Sequence, residues 1–445
     1  MIKRRKNKNA ENRAYQFRLY PTEKQEVLFS KTFGCSRKIY NLMLGDKKKH
    51  YAATGKMLNI TPARYKNEYP YLREVDSFAL INEQLHLEAA YKNFLSGNGF
   101  GEPKYKAKHR DKNSYTTNFV NGNIVVGEDW IKLPKLGRVP ARIHRTPPKN
   151  YVLKSVTVTK KRDETYYASV LYEYIQDIVP VVPSDKMSHI GLDYKSDGLF
   201  VASDGTCVDM PHFYRKTEQQ LKRAQRKLSH MIESHVVKRD KNGKPEYDRP
   251  LSECKNVQKL RVKVAKFHSH VANCRKNFLH KTSAEITNRY ELISVESLNM
   301  KAMSNKSFGN GKATMDNAYE LFLSMLAYKQ RDKGHHFVKI DKWYPSSQLC
   351  HACGMKNAAV KDLRIRKWEC PVCGAVNDRD KNAAINIDNE GLRLLLSGNL
   401  EDVGQELPDH STIIRRKKPA ESLEKLLTKV SVKITGVCEA GSSHL

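Results

Sequence analysis

Two cysteine pairs constrain the fold of this chain more than any other feature. Cys350 and Cys353 form one C-x2-C motif and Cys370 and Cys373 form a second, with sixteen residues between the motifs. Two tight turns at this separation, each supplying two thiolates, are typical of a zinc ion bound tetrahedrally by four cysteines. The spacing therefore predicts a structural zinc site, and His351, inside the first pair, is interpreted as a bystander.

The charge of the chain predicts a polyanionic partner. Its 445 residues include 79 Lys and Arg against 48 Asp and Glu, a formal net charge of +31. The last forty-five residues carry equal numbers of acidic and basic side chains, so the surplus belongs to the first four hundred. Such an excess is far more than solubility requires and is typical of proteins that bind nucleic acid.

Membrane insertion and secretion are not expected. No apolar run approaches the roughly 18 residues that cross a bilayer, and the basic residues 1–13 lack the apolar core of a secretion signal. We therefore expect a cytoplasmic protein with no membrane partner. The five cysteines outside the two pairs are odd in number and scattered, which predicts free thiols in a reducing compartment.

The first half of the chain combines helices with alternating apolar patterns. Residues 14–20 alternate as a strand does, residues 24–49 and 77–95 have helical patterns, and short alternating segments, among them 118–126, fill residues 115–179. Such segments, with turn residues between them, predict an antiparallel β domain of the barrel or sandwich type. If the first strand joins this domain, the helices form an insertion within it.

The second half alternates buried strands with helices. In chain order, the predicted elements are strands at 189–194 and 199–202, an Asp-Gly hairpin turn at 204–205, helices at 216–237 and from 257 onward, a strand at 291–296, a helix at 315–333, a strand at 336–341, the zinc unit, and a helix that begins near residue 378. This order resembles that of the ribonuclease H and RuvC nuclease fold.

Three carboxylates occupy positions that folding alone does not explain. Asp193 lies within an otherwise apolar strand, and Glu296 ends a second one. Burying an unpaired carboxylate is costly, so each needs a compensating charge, which two divalent cations would supply. The third is Asp378 or Asp380: an N-cap role suits the former and the helix dipole favours the latter, so spacing alone leaves both open.

With these motifs in place, the chain resembles the TnpB family, the RNA-guided nucleases of insertion sequences, and its second half is similar to the small type V CRISPR effectors. The resemblance covers roughly residues 10–395. The segments that carry it are residues 17–21, 191–193, 278–281, 295–299, 345–373 and 378–387. One mild departure is Ser297, where relatives often carry a second acidic residue, and we expect no effect on chemistry from it.

The resemblance implies a multidomain α+β fold with a RuvC-like or RNase H-like α/β nuclease domain. The implied division is a β-barrel-like, nucleic-acid-binding domain at 1–20 and 115–180, a helical recognition insertion at 21–114, the nuclease domain at 181–345 and 375–398, an inserted four-cysteine zinc ribbon at 346–374, and a loosely ordered tail at 399–445.

The resemblance also implies the catalytic residues. The family pattern Asp-x-Asn places the third catalytic acid at Asp380. Asp193 would then bridge two Mg2+ ions, while Glu296 and Asp380 each hold one, and the Zn2+ on the four cysteines would be structural.

The implied activity is cleavage of double-stranded target DNA under the direction of a guide RNA, by a prokaryotic, nucleoid-associated protein that acts as a monomer with its RNA. A CRISPR-associated type V effector shares every motif, and only genomic context separates it. A guided repressor without cleavage is disfavoured because all three acids are present. An unguided junction resolvase is disfavoured because it would not need some 180 residues of helical and β domains upstream. A direct transposase role is disfavoured because these motifs include no evident His-x-His with a tyrosine nucleophile.

Overall fold

The structure is a computed structural model that describes residues 10–97, 99–108, 110–175, 178–305 and 311–398. The described chain divides into two compact units, residues 10–175 and 178–398. The predicted tail at 399–445 lies outside the described residues. No helix in the described ranges combines the length and apolar character that crossing a bilayer requires.

The first unit is built on a seven-stranded antiparallel sheet with the strand order β2-β6-β7-β1-β5-β4-β3. Its elements, in chain order, are β1 (Ala10–Leu19), α1 (Glu23–Thr54), α2 (Ser77–Leu95), β2 (Asn113–Asn118), β3 (Val125–Val126), β4 (Trp130–Leu133), β5 (Gly137–Arg142), β6 (Val152–Lys160) and β7 (Tyr166–Ile175). Two 3-10 turns, Pro62–Lys66 and Pro70–Arg73, lie between α1 and α2.

The first strand joins this sheet, as the alternation of its residues allowed. β1 pairs along its whole length with β7, and its end pairs with β5, so α1 and α2 interrupt the sheet in sequence. Phe29 and Phe33 of α1 are buried in the same apolar cluster as Phe17 of β1. No pairing joins β2 to β3 among the described strands, and closure into a barrel stays a prediction.

The predicted strand at 118–126 was wrong. β2 ends at Asn118 and β3 begins at Val125, with a turn between them. Asn121 and Gly122 have φ values of 49° and 71° there, a left-handed conformation that a strand cannot contain. The Asn123 side chain accepts a hydrogen bond from the backbone N–H of Val120 and closes the turn.

The second unit is built on a five-stranded sheet with the order β10-β9-β8-β13-β14. β8, β9 and β10 are antiparallel, and β13 is parallel to both β8 and β14. Its elements, in chain order, are β8 (His189–Tyr194), β9 (Phe200–Ala202), β10 (Cys207–Val208), α3 (Phe213–Glu233), β11 (Val236–Arg239), β12 (Pro245–Tyr247), α4 (Lys255–Arg289), β13 (Leu292–Glu296), α5 (Met300–Met303), α6 (Gly311–Asn317), α7 (Tyr319–Lys333), β14 (His336–Ile340), β15 (Lys367–Glu369), β16 (Val376–Asp378) and α8 (Arg379–Leu396).

The two faces of this sheet are covered by different helices. Ile293 and Val295 of β13 belong to an apolar cluster that includes residues of α4 and α7. On the other face, Leu292 clusters with Leu395 of α8, and Ser294 lies against Gly391 of α8. Because side chains alternate between the faces of a strand, the last residue of β13, Glu296, belongs to the face that α8 covers.

A small ribbon connects β14 to α8. Its antiparallel pair, β15 and β16, runs from Lys367 to Asp378, directly up to the start of α8. Val360 and Trp368 pack with Cys350 and Cys370 in its small core. The ribbon therefore fixes the entry of the chain into the last helix.

Candidate active site and cysteine cluster

Asp193 and Glu296 lie side by side at the carboxyl ends of two parallel strands. The register pairs Leu192 of β8 with Val295 of β13, so the next residues, Asp193 and Glu296, continue the same register. Gly191, two residues before Asp193, lies against α8. The alternation of side chains thus directs both carboxylates to the face that α8 covers.

Glycine allows α8 to approach the sheet closely. A Cβ at Gly191 would lie 2.6 Å from the backbone nitrogen of Asp388, and a Cβ at Gly391 would lie 2.5 Å from Cβ of Ser294. Neither position has room for a side chain. This close contact brings the first turn of α8, with Asp380, to the end of β8.

A buried polar contact reinforces this packing. The carboxylate of Asp388 on α8 lies 2.9 Å from Nδ1 of His189 and accepts a 2.8 Å hydrogen bond from the Ser203 hydroxyl. The Ser203 hydroxyl also accepts a hydrogen bond from the backbone N–H of Gly191. The sequence did not point to this group, because its members are far apart in the chain.

The start of α8 distinguishes the roles of Asp378 and Asp380, between which the sequence spacing did not decide. Asp378 is the N-cap residue, and its side chain accepts a 3.2 Å hydrogen bond from the backbone N–H of Lys381. Asp380 lies in the first helical turn, and its charge acts on Asp193. Capping therefore accounts for Asp378, while Asp380 joins the other two acids.

Glu296 and Asp380 act electrostatically on Asp193. The pKa of Asp193 is raised well above its ordinary value, first by burial and then by the negative charges of Glu296 and Asp380. The backbone N–H of Tyr194 and the charge of Arg379 oppose that shift. Burial also raises the pKa of Glu296, and a hydrogen bond from Ser346 opposes it. Both charges thus act on Asp193, which is the central member of the group.

The donor chemistry of this group fits Mg2+. Mg2+ prefers hard oxygen ligands at about 2.0–2.1 Å. The only group of three or more potential ligand atoms within 4.8 Å of one another, among the described residues, is made of cysteines. The three carboxylates do not form such a group, so the fit to Mg2+ rests on their oxygen donors and on their shared electrostatics.

Three further residues at this site were not found from the sequence. The guanidinium of Arg366, on the ribbon, donates to Oδ1 of Asp380 at 3.4 Å. Ser346 donates its hydroxyl hydrogen to Oε1 of Glu296. The pKa of the buried Tyr319 phenol is raised by burial and then by the charges of Asp193 and Glu296, which places its ring beside them. All three belong to elements other than those of the acids they approach, so no local pattern could reveal them.

The four cysteines converge in the geometry of a tetrahedral metal site. Their Sγ atoms all lie within 4.8 Å of one another, with 3.7 Å between those of Cys350 and Cys373 and 3.6 Å between those of Cys353 and Cys370. A zinc ion with Zn–S bonds of about 2.3 Å in a tetrahedron requires sulfurs about 3.8 Å apart. The sulfurs therefore already have the spacing that zinc requires.

The pKa is lowered at two of the cysteines, Cys350 and Cys370, where backbone N–H groups stabilise the thiolate, and it is raised at Cys353 and Cys373 by contacts with neighbouring thiols and by burial. Burial would raise the pKa of Cys350, but the backbone N–H groups of Cys353 and Ala352 outweigh it, and the pKa falls to about 6. His351 is not part of the group: its Nδ1 lies 2.7 Å from Oδ1 of Asn377, and its backbone N–H donates to the side chain of Asn382. The histidine therefore connects the first cysteine pair to α8 instead of binding the metal.

Comparisons with known families match three parts of the chain. Residues 319–387 match the model described as "Cas12f1-like, TNB domain", residues 169–307 match "Probable transposase", and residues 11–56 match "Helix-turn-helix domain". Over the last range the structure has a strand, β1, and a single long helix, α1.

Curated relatives extend the match to most of the chain. A "Putative RNA-guided DNA endonuclease" of Streptomyces pristinaespiralis is 30% identical over 395 residues, which cover 85% of this chain and 89% of the relative. "TnpB-like protein L79" of Acanthamoeba polyphaga mimivirus is 30% identical over 151 residues, 33% of this chain and 28% of that protein.

The fold and the site together define a mixed α/β protein with a four-cysteine cluster beside a group of partly buried carboxylates. The chain belongs to the TnpB family. Among solved structures, the cryo-EM structure of a Cas12f1-sgRNA-target DNA complex is 13% identical, with a TM-score of 0.48 over 85% of this chain and 99% of that one. This likeness is too low to add to the assignment.

Proposed function

We propose that this protein is a transposon-encoded, RNA-guided DNA endonuclease that hydrolyses phosphodiester bonds at Asp193, Glu296 and Asp380 with two Mg2+ ions. The observation that supports it most directly is the grouping of Asp193 with two further carboxylates, Glu296 and Asp380, whose charges act on it. The family and the name of the Streptomyces relative support the same activity. The strand order β10-β9-β8-β13-β14, with three antiparallel strands followed by two parallel ones, supports a RuvC-like or RNase H-like nuclease domain.

The three acids act together in this mechanism. When bound, two Mg2+ ions activate a water molecule for in-line attack on phosphorus and stabilise the departing 3′ oxygen. Asp193, on which both other charges act, would hold the ions together with Glu296 and Asp380. Burial and then repulsion raise the pKa of Asp193, and bound cations would relieve that repulsion, so the site would bind them most tightly when all three acids are ionised.

The residues around the acids shape the substrate site. The guanidinium of Arg366 is 68% exposed and donates to Asp380 at one of its nitrogens, so its other N–H groups are available to a phosphate. Tyr319 is buried beside Asp193 and Glu296 and excludes water from the inner side of the site. A positive charge at Arg366 would therefore position the scissile phosphate over the acids.

The ribbon is proposed to hold a structural Zn2+. Four thiolates fill a tetrahedral coordination sphere and leave no position for water, so the ion would not take part in hydrolysis. The ribbon instead orients the start of α8, which follows β16 directly.

Guide RNA and target DNA are the proposed partners. The net charge of +31 suits a duplex that is held by its phosphates, while base pairing with the guide supplies the sequence specificity. We assign the first unit, with its sheet and inserted helices, to holding nucleic acid and reading a short motif beside the target. One protein molecule is proposed to act with one RNA.

Purification from the native locus tests the proposal. The RNA that copurifies is sequenced, and the complex is then given double-stranded DNA matching that RNA, with Mg2+ or with EDTA. A discrete RNA from one transposon end and Mg2+-dependent cleavage of the matching DNA are expected. Absence of bound RNA, or cleavage that is indifferent to the match, would contradict a guided nuclease.

A further inference from the structure

The segment that enters the zinc ribbon lies directly on the proposed site. Ser346 follows β14 by six residues and precedes Cys350 by four, and it is 6% exposed. Its hydroxyl donates to Oε1 of Glu296, which ends the neighbouring strand β13. Among the described residues, the carboxylate of Glu296 has no other hydrogen bond, so this hydroxyl is the contact that fixes its orientation.

The same segment is fastened to α8 by two asparagines one helical turn apart. Asn386 donates to the backbone carbonyls of Ser346 and Leu349, both at 2.8 Å. Asn382 donates to the Leu349 carbonyl at 2.7 Å, and its own side-chain oxygen accepts from the backbone N–H of His351 at 2.9 Å. Residues four apart share one face of a helix, so both amides reach the same segment.

These bonds are buried and mutually dependent. Asn382 is 1% exposed and Asn386 is 5% exposed. A buried amide that loses its partner keeps the full cost of desolvation, so the segment has little freedom to shift without breaking several bonds together. The hydroxyl that holds Glu296 is therefore fixed by α8 on one side and by the first cysteine pair on the other.

We propose that Ser346 is a positioning residue that holds Glu296 in its metal-binding orientation, and that Asn382, Asn386 and the first cysteine pair connect this orientation to the occupancy of the zinc site. The inference rests on the proposed function, because it assigns Glu296 to Mg2+. It predicts that zinc, although it does not touch substrate, sets the affinity of the acids for Mg2+.

The test measures Mg2+ binding without nuclease activity. The melting temperature of the full chain is followed against Mg2+ concentration for the wild type, Ser346→Ala, Ser346→Thr and Ser347→Ala, with zinc content checked in each. Ser347 is the matched control, since its hydroxyl has no described hydrogen bond. We expect Ser346→Ala to raise the Mg2+ midpoint about tenfold, as suits a lost hydrogen bond to a charged group. Ser346→Thr, which keeps the hydroxyl, should restore most of the affinity, and Ser347→Ala should match the wild type.

A second pair of variants tests the connection to zinc. Cys373→Ser should lose zinc and raise the Mg2+ midpoint by a similar factor. In the double variant, adding Ser346→Ala should raise the midpoint less than twofold further, because both changes release the same carboxylate. A Ser346→Ala midpoint equal to that of the wild type would overturn the positioning role. Additive effects of the two changes would overturn the connection to zinc.

The outcomes also separate this inference from the proposed function. If Mg2+ does not stabilise the wild type, or if Asp193→Asn is stabilised equally, the two-metal site itself is wrong. If the wild type responds and Asp193→Asn does not, the metal site stands, and the Ser346 variants alone decide the positioning role.

Discussion

The cysteine cluster and the acidic site bind metal in the proposed function, yet they are built in opposite ways. The four cysteines lie within one short ribbon, and their sulfurs already have the spacing of a zinc tetrahedron. The three acids come from β8, β13 and α8, and they meet only because the whole sheet and its last helix assemble. One site is local and the other depends on the global fold.

The two sites also differ in electrostatics. At Cys350, backbone N–H groups lower the pKa of the thiol and favour its metal-binding form. At Asp193, burial and neighbouring acids raise the pKa and disfavour that form. The comparison teaches that backbone N–H groups within the ribbon prepare part of the thiolate set, Cys350 and Cys370, whereas burial and neighbouring acids at Asp193 outweigh the opposing Tyr194 N–H and Arg379 charge, and bound cations would relieve the remaining repulsion.

The largest expected effect comes from removing single acids. Asp193→Asn, Glu296→Gln and Asp380→Asn should each lower guided cleavage at least about 1000-fold, because loss of one metal ligand removes several kcal/mol of transition-state stabilisation. Guided DNA binding, measured by gel shift, should remain. The matched control is Asp378→Asn, since asparagine also caps helices well. A similar loss of cleavage in the control would mean that the acids of this turn support cleavage by stabilising the start of α8 and not by binding metal.

Loss of zinc should have the next largest effect and tests how independent the ribbon is. Cys370→Ser should reduce the bound zinc from one ion per chain to none and lower cleavage about 100-fold, the upper range for a change outside the reacting groups. Cys207→Ser, an exposed cysteine of the same unit, is the control, and it should keep zinc and activity. Full activity in zinc-free Cys370→Ser would mean that the acidic site functions independently of zinc in the ribbon.

This contrast explains what the sequence could predict. The cysteine spacing, the apolar strands around Asp193 and Glu296, and the insertion of helices after β1 are local signals, and each corresponds to the structure. The helix predicted at 315–333 is instead split into α6 and α7, because Ala318 adopts φ 49°, and nothing in its apolar periodicity reveals that break. The helix predicted to end at 237 ends at Glu233, and a short hairpin follows.

The contacts of the acidic site were beyond sequence reasoning for a related reason. Ser346, Arg366 and Asp388 have ordinary local surroundings. Their roles follow only from where the sheet places Glu296 and His189 and where α8 places Asp380. The choice between Asp378 and Asp380 likewise needed either the family pattern or the observed N-cap bond.

Close packing of α8 provides a smaller and more structural test. Gly191→Ala would place a methyl group against the backbone of α8, where nothing flexible can yield, and should lower the free energy of unfolding by about 1–3 kcal/mol. The cleavage rate should fall by more than the loss of folded protein explains, because a displaced α8 also displaces Asp380. Gly34→Ala, in α1 with open space around it, should instead be neutral or slightly stabilising. Urea unfolding and single-turnover cleavage measure both, and a stable, active Gly191→Ala would show that the site tolerates displacement of α8.

The smallest effect follows from the raised pKa of Asp193. In the folded protein this carboxyl holds its proton to a higher pH than in the unfolded chain, where its pKa is about 3.9. The contribution of this carboxyl to the free energy of unfolding is therefore greatest at low pH. That contribution is lost as the pH rises through the pKa that Asp193 has in the folded protein. Without Mg2+, Asp193→Asn should melt about 3 °C above the wild type at pH 8, equivalent to about 1 kcal/mol, and the difference should shrink toward pH 4. Saturating Mg2+ should reverse the order at pH 8, because only the wild type binds the ions fully. Equal melting temperatures at both pH values would mean that the acids meet without repulsion, and the electrostatic half of the comparison with the cysteine cluster would fail.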